Sequence, residues 1–228
     1  MKKISIFFSL SIAVLFFSNC KKEAVEPETE IPIENINDVV LNSFSANVAQ
    51  GTYNDLADQA NLLYSAIQKF NTTSTDANLA DCRTLWKSSR SAWEQSEGFL
   101  FGPVSTNNID PRIDTWPVNY VDLDSVLNSN AVFSDSYIES LEDALRGFHP
   151  IEYLIFGQTG AKTAAQVTAR EKQYLLALAE NLKKLTVEVA TSWKPGTTGN
   201  YHDEFTKAGA GSKVYLTKRA AFEELVNA

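Results

Sequence analysis

DANLADCRTLWKSSRSAWEQSEGFLF, residues 76–101, decides the fold class. Leu79, Trp86, Trp93 and Leu100 recur every seven residues, and at helical pitch they fall within about 60° of arc. The stretch therefore predicts an amphipathic helix, capped at Ser74 or Asp76 and stopped by Gly102-Pro103. Cys82 lies on the apolar side, where a thiol packs rather than attacks. Glu97 falls inside the apolar row, beside Leu79 and Trp86, with Arg90 and Glu94 on its flank. A carboxylate in such a row is costly unless it is paired or metal-bound. Arg90 and Glu94 stand four apart and can pair. Glu94 and Glu97 stand three apart, so both can reach one point. An Arg–Glu pair with a carboxylate at the core's edge is the plainer alternative.

The same periodicity continues on both sides. Residues 37–70 carry Val40, Leu41, Phe44, Val48, Leu56, Leu62, Leu63, Ile67 and Phe70 at helical spacing, with a break expected at Gly51. Residues 164–193 form another long helix, ended by Lys194-Pro195-Gly196. Shorter helices are expected at 122–127, 137–145 and 212–226. Residues 104–120 hold Asp110, Pro111, Asp114, Trp116 and Pro117 without a period, and read as an ordered loop. Strand patterns are weak throughout, so the chain is expected to be all-α, a helical bundle.

Between two glycines lies GFHPIEYLIFG, residues 147–157. Pro150 suits a first helical turn. On a helix His149 and Glu152 lie about 60° apart, and every other face is apolar, so this helix should be buried. Its two polar groups then need partners. An imidazole and a carboxylate three apart is a spacing that helical bundles use to chelate iron or manganese. A core histidine bonded to its own helix neighbour accounts for the pair equally well. The pattern is not the H-E-x-x-H of zinc peptidases. His202, the other histidine, is expected at the surface.

The N-terminus reads as a targeting segment. Lys2 and Lys3 precede an apolar run from Ile4 to Phe17, too short to span a bilayer comfortably. Ser18-Asn19-Cys20 follows, so residues 1–19 are expected to be a signal peptide and Cys20 a lipidated N-terminus. Charged residues with Pro27 and Pro32 make the stretch to residue 35 a tether, leaving 36–228 as one helical domain. Cys82 is the only further cysteine, which excludes a disulfide framework. Losing Lys2 and Lys3 with the leader moves the formal charge from -8 to -10. Such acidity argues against nucleic acid and anionic headgroups as partners.

Taken together, WEQSEGFLFGP (93–103), DPRIDTWP (110–117) and GFHPIEYLIFG (147–157), in that order, resemble the imelysin-like proteins, peptidase family M75, whose hallmark is G-x-H-x-x-E. The resemblance covers roughly 36–228. It implies an imelysin-like bundle lacking part of its second half, because the chain stops at Ala228 within what reads as a mid-domain helix. It also implies a bacterial envelope location, lipid-anchored and periplasmic or outer-membrane associated, and a role in handling iron or another transition metal. The implied ligands are Glu94, Glu97, Asp110 or Asp114, His149 and Glu152, with the Asp110–Pro117 segment closing the site. The metal ion, the membrane reached through the lipid and an envelope uptake partner are the expected partners. A metal-dependent peptidase, suggested by the family's name, and a non-catalytic interaction module are the alternatives.

Overall fold

The computed structural model describes residues 38–197 and 200–228. The expected signal peptide, Cys20 and the tether up to residue 35 lie outside the described residues. Among the described residues there are helices and no strands. The chain builds α1 (Asp38–Ser43), a π-helical turn (Phe44–Ala49), α2 (Gln50–Thr72) and α3 (Asp76–Glu94). The short helices α4 (Pro103–Thr106), α5 (Ile109–Asp114), α6 (Tyr120–Asn128), α7 (Asp135–Glu139) and α8 (Phe148–Phe156) come next. The long α9 (Ala169–Ser192) is followed by α10 (Tyr201–Thr206) and α11 (Lys218–Asn227).

Three long helices make the frame. The α2–α3 hairpin turns at residues 73–75, where the Thr75 hydroxyl accepts from the Asn78 N–H and starts α3. Helix α9 also packs along α2. It runs antiparallel to it, since Asn71 bonds the Lys172 carbonyl at one end and Tyr53 stacks near Trp193 at the other. The start of α9 is fixed by a capping box in which Thr168 and Glu171 bond each other's backbone. The buried stripes are Tyr53, Leu56, Leu63, Ile67 and Phe70 on α2 and Tyr174, Leu178, Leu182, Leu185 and Val189 on α9. At 24 residues or fewer, each helix draws most of its stability from those stripes rather than from propensity. One end of the frame is closed by aromatic rings, with Phe44, Phe101, Tyr201 and Phe205 around Trp193.

Several expected boundaries move. Gly51 breaks nothing. The helix runs through it, because one glycine costs about 1 kcal/mol against apolar stripes buried on both sides. Residues 104–120 are partly helical rather than a loop. Ile109 and Ile113, four apart and fully buried, seat α5, which is too short to give a periodic pattern. Helix α7 stops at Glu139, whose carboxylate takes Arg112 and the buried Arg146. Helix α11 begins at Thr217–Lys218, not 212, because Glu204 holds the preceding loop by the Ser212 hydroxyl and the Lys213 and Val214 N–H groups. The unforeseen α10 carries His202, which is half-buried rather than on the surface, its Nδ1 2.8 Å from the Ser45 hydroxyl.

Candidate functional site

The α5–α8 corner brings the candidate groups together. Asp114 is the last residue of α5, and His149 is the second of α8. Their meeting depends on Gly147. Its φ is +83°, and a Cβ there would stand 2.3 Å from the Ile113 carbonyl oxygen. Only glycine lets the two backbones approach so closely. Pro150 falls in the first turn of α8, where its missing N–H has no helical partner to lose.

Helix α3 holds both pieces with the tryptophans of its seven-residue row. The Trp86 indole donates to the Phe148 carbonyl at 2.9 Å. The Trp93 indole donates to Asp114 Oδ2 at 2.7 Å. Between them Arg90 pairs with Asp114 Oδ1 and, at 2.6 Å, with Glu94. These residues were legible as an apolar row. That their N–H groups would also be polar anchors is the feature the spacing did not reveal, although a buried indole usually finds an acceptor.

At the centre is His149. Its Nε2 lies 3.1 Å from Asp114 Oδ1 and its Nδ1 3.2 Å from Glu152 Oε2. Both ring nitrogens face carboxylates, so the protonated ring satisfies both. The bond to Asp114 accordingly raises the His149 pKa above its ordinary value, against the opposing effect of burial, with Glu152 adding to the rise. Burial would raise Asp114, but the bonds from His149, Arg90 and Trp93 outweigh it and hold the carboxyl below its usual range.

Of the expected ligands, the structure joins Glu94, Asp114, His149 and Glu152 in one chain of charge pairs through Arg90. Asp110 and Glu97 make no ion pair or hydrogen bond among the described residues. They feel the cluster through charge. Burial and the nearby Asp114 raise both, and Glu94 and Asp110 add to the effect at Glu97. Glu97 does not lie in the apolar row of α3. The helix ends at Glu94, and Glu97, itself exposed, opens a 3-10 turn whose Phe99 is buried. The turn forms because the Ser96 hydroxyl bonds the Trp93 carbonyl, ending the α-helical ladder there.

A cleft of about 360 Å³ opens beside the pair, lined by His149 and Glu152 and by Trp116, Tyr120, Tyr153 and Phe156. Trp116 stands at its rim, 74% exposed. In chemistry the donors fit a transition metal, with one imidazole and carboxylates on short rigid helices. Among the described residues no three His, Cys, Asp or Glu groups are already disposed around one point as a cage. Arg90 and the His149 proton hold the carboxylates instead, so an ion would enter by exchange, displacing that proton.

The imelysin family model matches residues 49–228. Iron-regulated protein A of Synechococcus elongatus is 31% identical over 192 residues, 84% of this chain and 50% of its own length. The crystal structure of a candidate iron-regulated protein A precursor from Parabacteroides distasonis superposes with a TM-score of 0.73 at 26% identity, over 82% of this chain and 54% of that one. An imelysin-like protein from Psychrobacter arcticum shares the fold, with a TM-score of 0.65 at 15% identity over 83% of this chain and 58% of that one. The chain thus spans about half the length of the relatives it matches. With the family model covering most of its length and G-x-H-x-x-E at its central corner, the chain belongs to the imelysin family.

Proposed function

We propose that this chain binds a transition-metal ion, iron before others, at the α5–α8 corner, as an uptake or accessory protein of the bacterial envelope. The observation that carries the reading is His149, with a carboxylate oxygen at 3.1 Å on one ring nitrogen and at 3.2 Å on the other, beside an open cleft. His149, Glu152 and Asp114 would hold the ion. Glu94, Glu97 and Asp110 would supply compensating negative charge around it. The names of two relatives, an iron-regulated protein A and a candidate iron-regulated protein A precursor from another organism, favour iron as the cargo. The lipid at Cys20 would tether the domain to the membrane. No helix among the described residues is long and apolar enough to cross a membrane.

The test is thermal unfolding of the chelator-treated protein with iron, manganese, zinc and copper in turn. A native-state ligand at a thousandfold excess over its Kd stabilises by about 4 kcal/mol, a Tm rise of roughly 8–16 °C for a domain of this size. His149→Ala should abolish the rise. If no metal moves the Tm, the carboxylates are scaffold, and an interaction module is the better description. Chelator-sensitive cleavage of an unfolded substrate, absent in His149→Ala, would instead establish a peptidase.

A further inference from the structure

We infer that Glu139 is a positioning residue: by bridging Arg112 and Arg146, its carboxylate sets the contact between Asp114 and His149, and with it the affinity of the corner for an ion. The consequence for the ion rests on the metal-binding reading. The positioning itself is read on the metal-free chain.

The segments that carry Asp114 and His149 meet where the Ile113 carbonyl lies against Gly147. Beyond that point the Asp114–His149 pair joins them. Before it, Glu139 does. Arg112 stands two residues before Asp114 on α5, and Arg146 directly precedes Gly147 in extended backbone. One oxygen of Glu139, Oε2, takes both guanidinium groups, Arg112 Nη2 at 2.5 Å and Arg146 Nη1 at 3.2 Å. The other oxygen, Oε1, accepts from Asn181 on α9 at 2.7 Å. Lys184 lies 3.7 Å from Oε1 and is itself paired with Asp135. Asn181 is fully buried within α9, so the bridge hangs from the rigid frame of the long helices.

Charge makes the bridge necessary. Two guanidinium groups drawn to one oxygen repel each other once its charge is gone. Arg146 has a second carboxylate in Asp143. Arg112 pairs with no other carboxylate among the described residues, so loss of Glu139 frees α5 first. Burial would raise the Glu139 carboxyl, but the bonds from Asn181 and Arg112 outweigh it and hold the group below its ordinary range. The competing role is a clamp that stabilises the helices and leaves the His149 ring untouched. Against it stands the place of attachment, two residues from Asp114 and three from His149, across a backbone contact too tight to absorb a shift. Close packing of that kind passes strain on.

The experiment compares the metal-free full chain with Glu139→Gln in a proton–carbon NMR spectrum of the histidine rings at neutral pH. The chain has 2 histidines, and His149→Ala assigns both signals. The expected result is a His149 signal displaced towards its place in Asp114→Asn, with His202 unmoved. Thr217→Ala, which removes the cap of α11, should lower stability and displace neither ring. Zinc titration calorimetry, at a temperature where both chains are folded, should show Glu139→Gln binding about tenfold more weakly, as loss of a group that orients a ligand does. Arg112→Gln frees α5 and keeps the Arg146 pair. It should displace the His149 ring in the same direction, and it carries the test if Glu139→Gln fails to fold. A His149 signal unmoved in the folded variant overturns the positioning. A displaced ring with unchanged zinc affinity overturns its consequence for the ion. A parent chain that binds no zinc counts against the metal reading, and the ring signal alone then decides the positioning.

Discussion

Nε2 of His149 stands 3.1 Å from Oδ1 of Asp114, so that protonation of the ring makes an ion pair between the start of α8 and the end of α5. Titration of the ring therefore makes stability depend on pH. The folded pKa of His149 lies above 6.5, so its contribution is complete below about 6.5 and is lost as pH rises through the folded value. Asp114 works in the opposite sense. Its folded pKa lies below 3.8, so its contribution is present above about 3.8 and is lost as pH falls through the folded value. The chelator-treated chain should therefore resist urea best between these limits and weaken as pH climbs from about 6.5 towards 9. In Asp114→Asn the decline above pH 6.5 should flatten. A variant curve running parallel to the parent would mean that some other histidine partner sets the slope.

Gly147 is the point on which that meeting turns. Alanine there would take a positive-φ extended backbone that is essentially confined to glycine, costing about 1–3 kcal/mol, and would drive its Cβ to 2.3 Å from the Ile113 carbonyl. The two backbones must then part. Gly147→Ala should cost more than about 4 kcal/mol, the range reserved for backbone strain and core disruption. Gly51→Ala, with open space around the added methyl, should stabilise slightly, by about 0.5–1 kcal/mol. Comparison of their denaturation midpoints checks both signs in one experiment.

Much of this corner could be read from the sequence, for a physical reason. Trp86 and Trp93 fall on one helical stripe, and periodicity exposes such stripes. The helix of His149 and Glu152 is bracketed by glycines, and a wholly apolar surround forces its polar groups to find partners. What stayed hidden depends on tertiary contact. No spacing rule tells that Asp114, rather than Asp110, reaches His149, because the choice follows from Ile109 and Ile113 seating α5 in the core. Periodicity alone puts Glu97 on a helix that ends one turn earlier, since the Ser96 bond that ends it is invisible to a hydropathy pattern. Spacing on one helix pairs Arg90 with Glu94, but its second ion pair, with Asp114, crosses between elements.

Cys82 provides a probe of the frame that is independent of any metal. Its side chain is fully buried on α3, and burial, with nearby Asp81, pushes the thiol up to about 12. At pH 8 roughly one thiol in ten thousand is then ionised, and the thiolate is the reactive form. In a Cys20→Ser background, a disulfide-exchange reagent should leave the native chain unlabelled at pH 8 and label one thiol once guanidinium unfolds it. Prompt labelling without denaturant would show that the α2–α3 packing opens locally.

Arg90 should separate stability from ion affinity. Its guanidinium pairs with Asp114 and Glu94 and lowers the pKa of Glu97 and Asp110 through charge. Arg90→Met keeps much of the side-chain volume but leaves Asp114 with His149 and Trp93 alone. Breaking such a half-buried pair should cost about 3 kcal/mol, a Tm loss of roughly 6–12 °C in the metal-free chain. The same change removes a positive charge from among four carboxylates, so an incoming cation meets less repulsion. Metal should therefore bind Arg90→Met more tightly than the parent, by titration calorimetry, although the empty variant is less stable. Binding that weakens in step with stability would mean that Arg90 shapes the site rather than competing with the ion for its carboxylates.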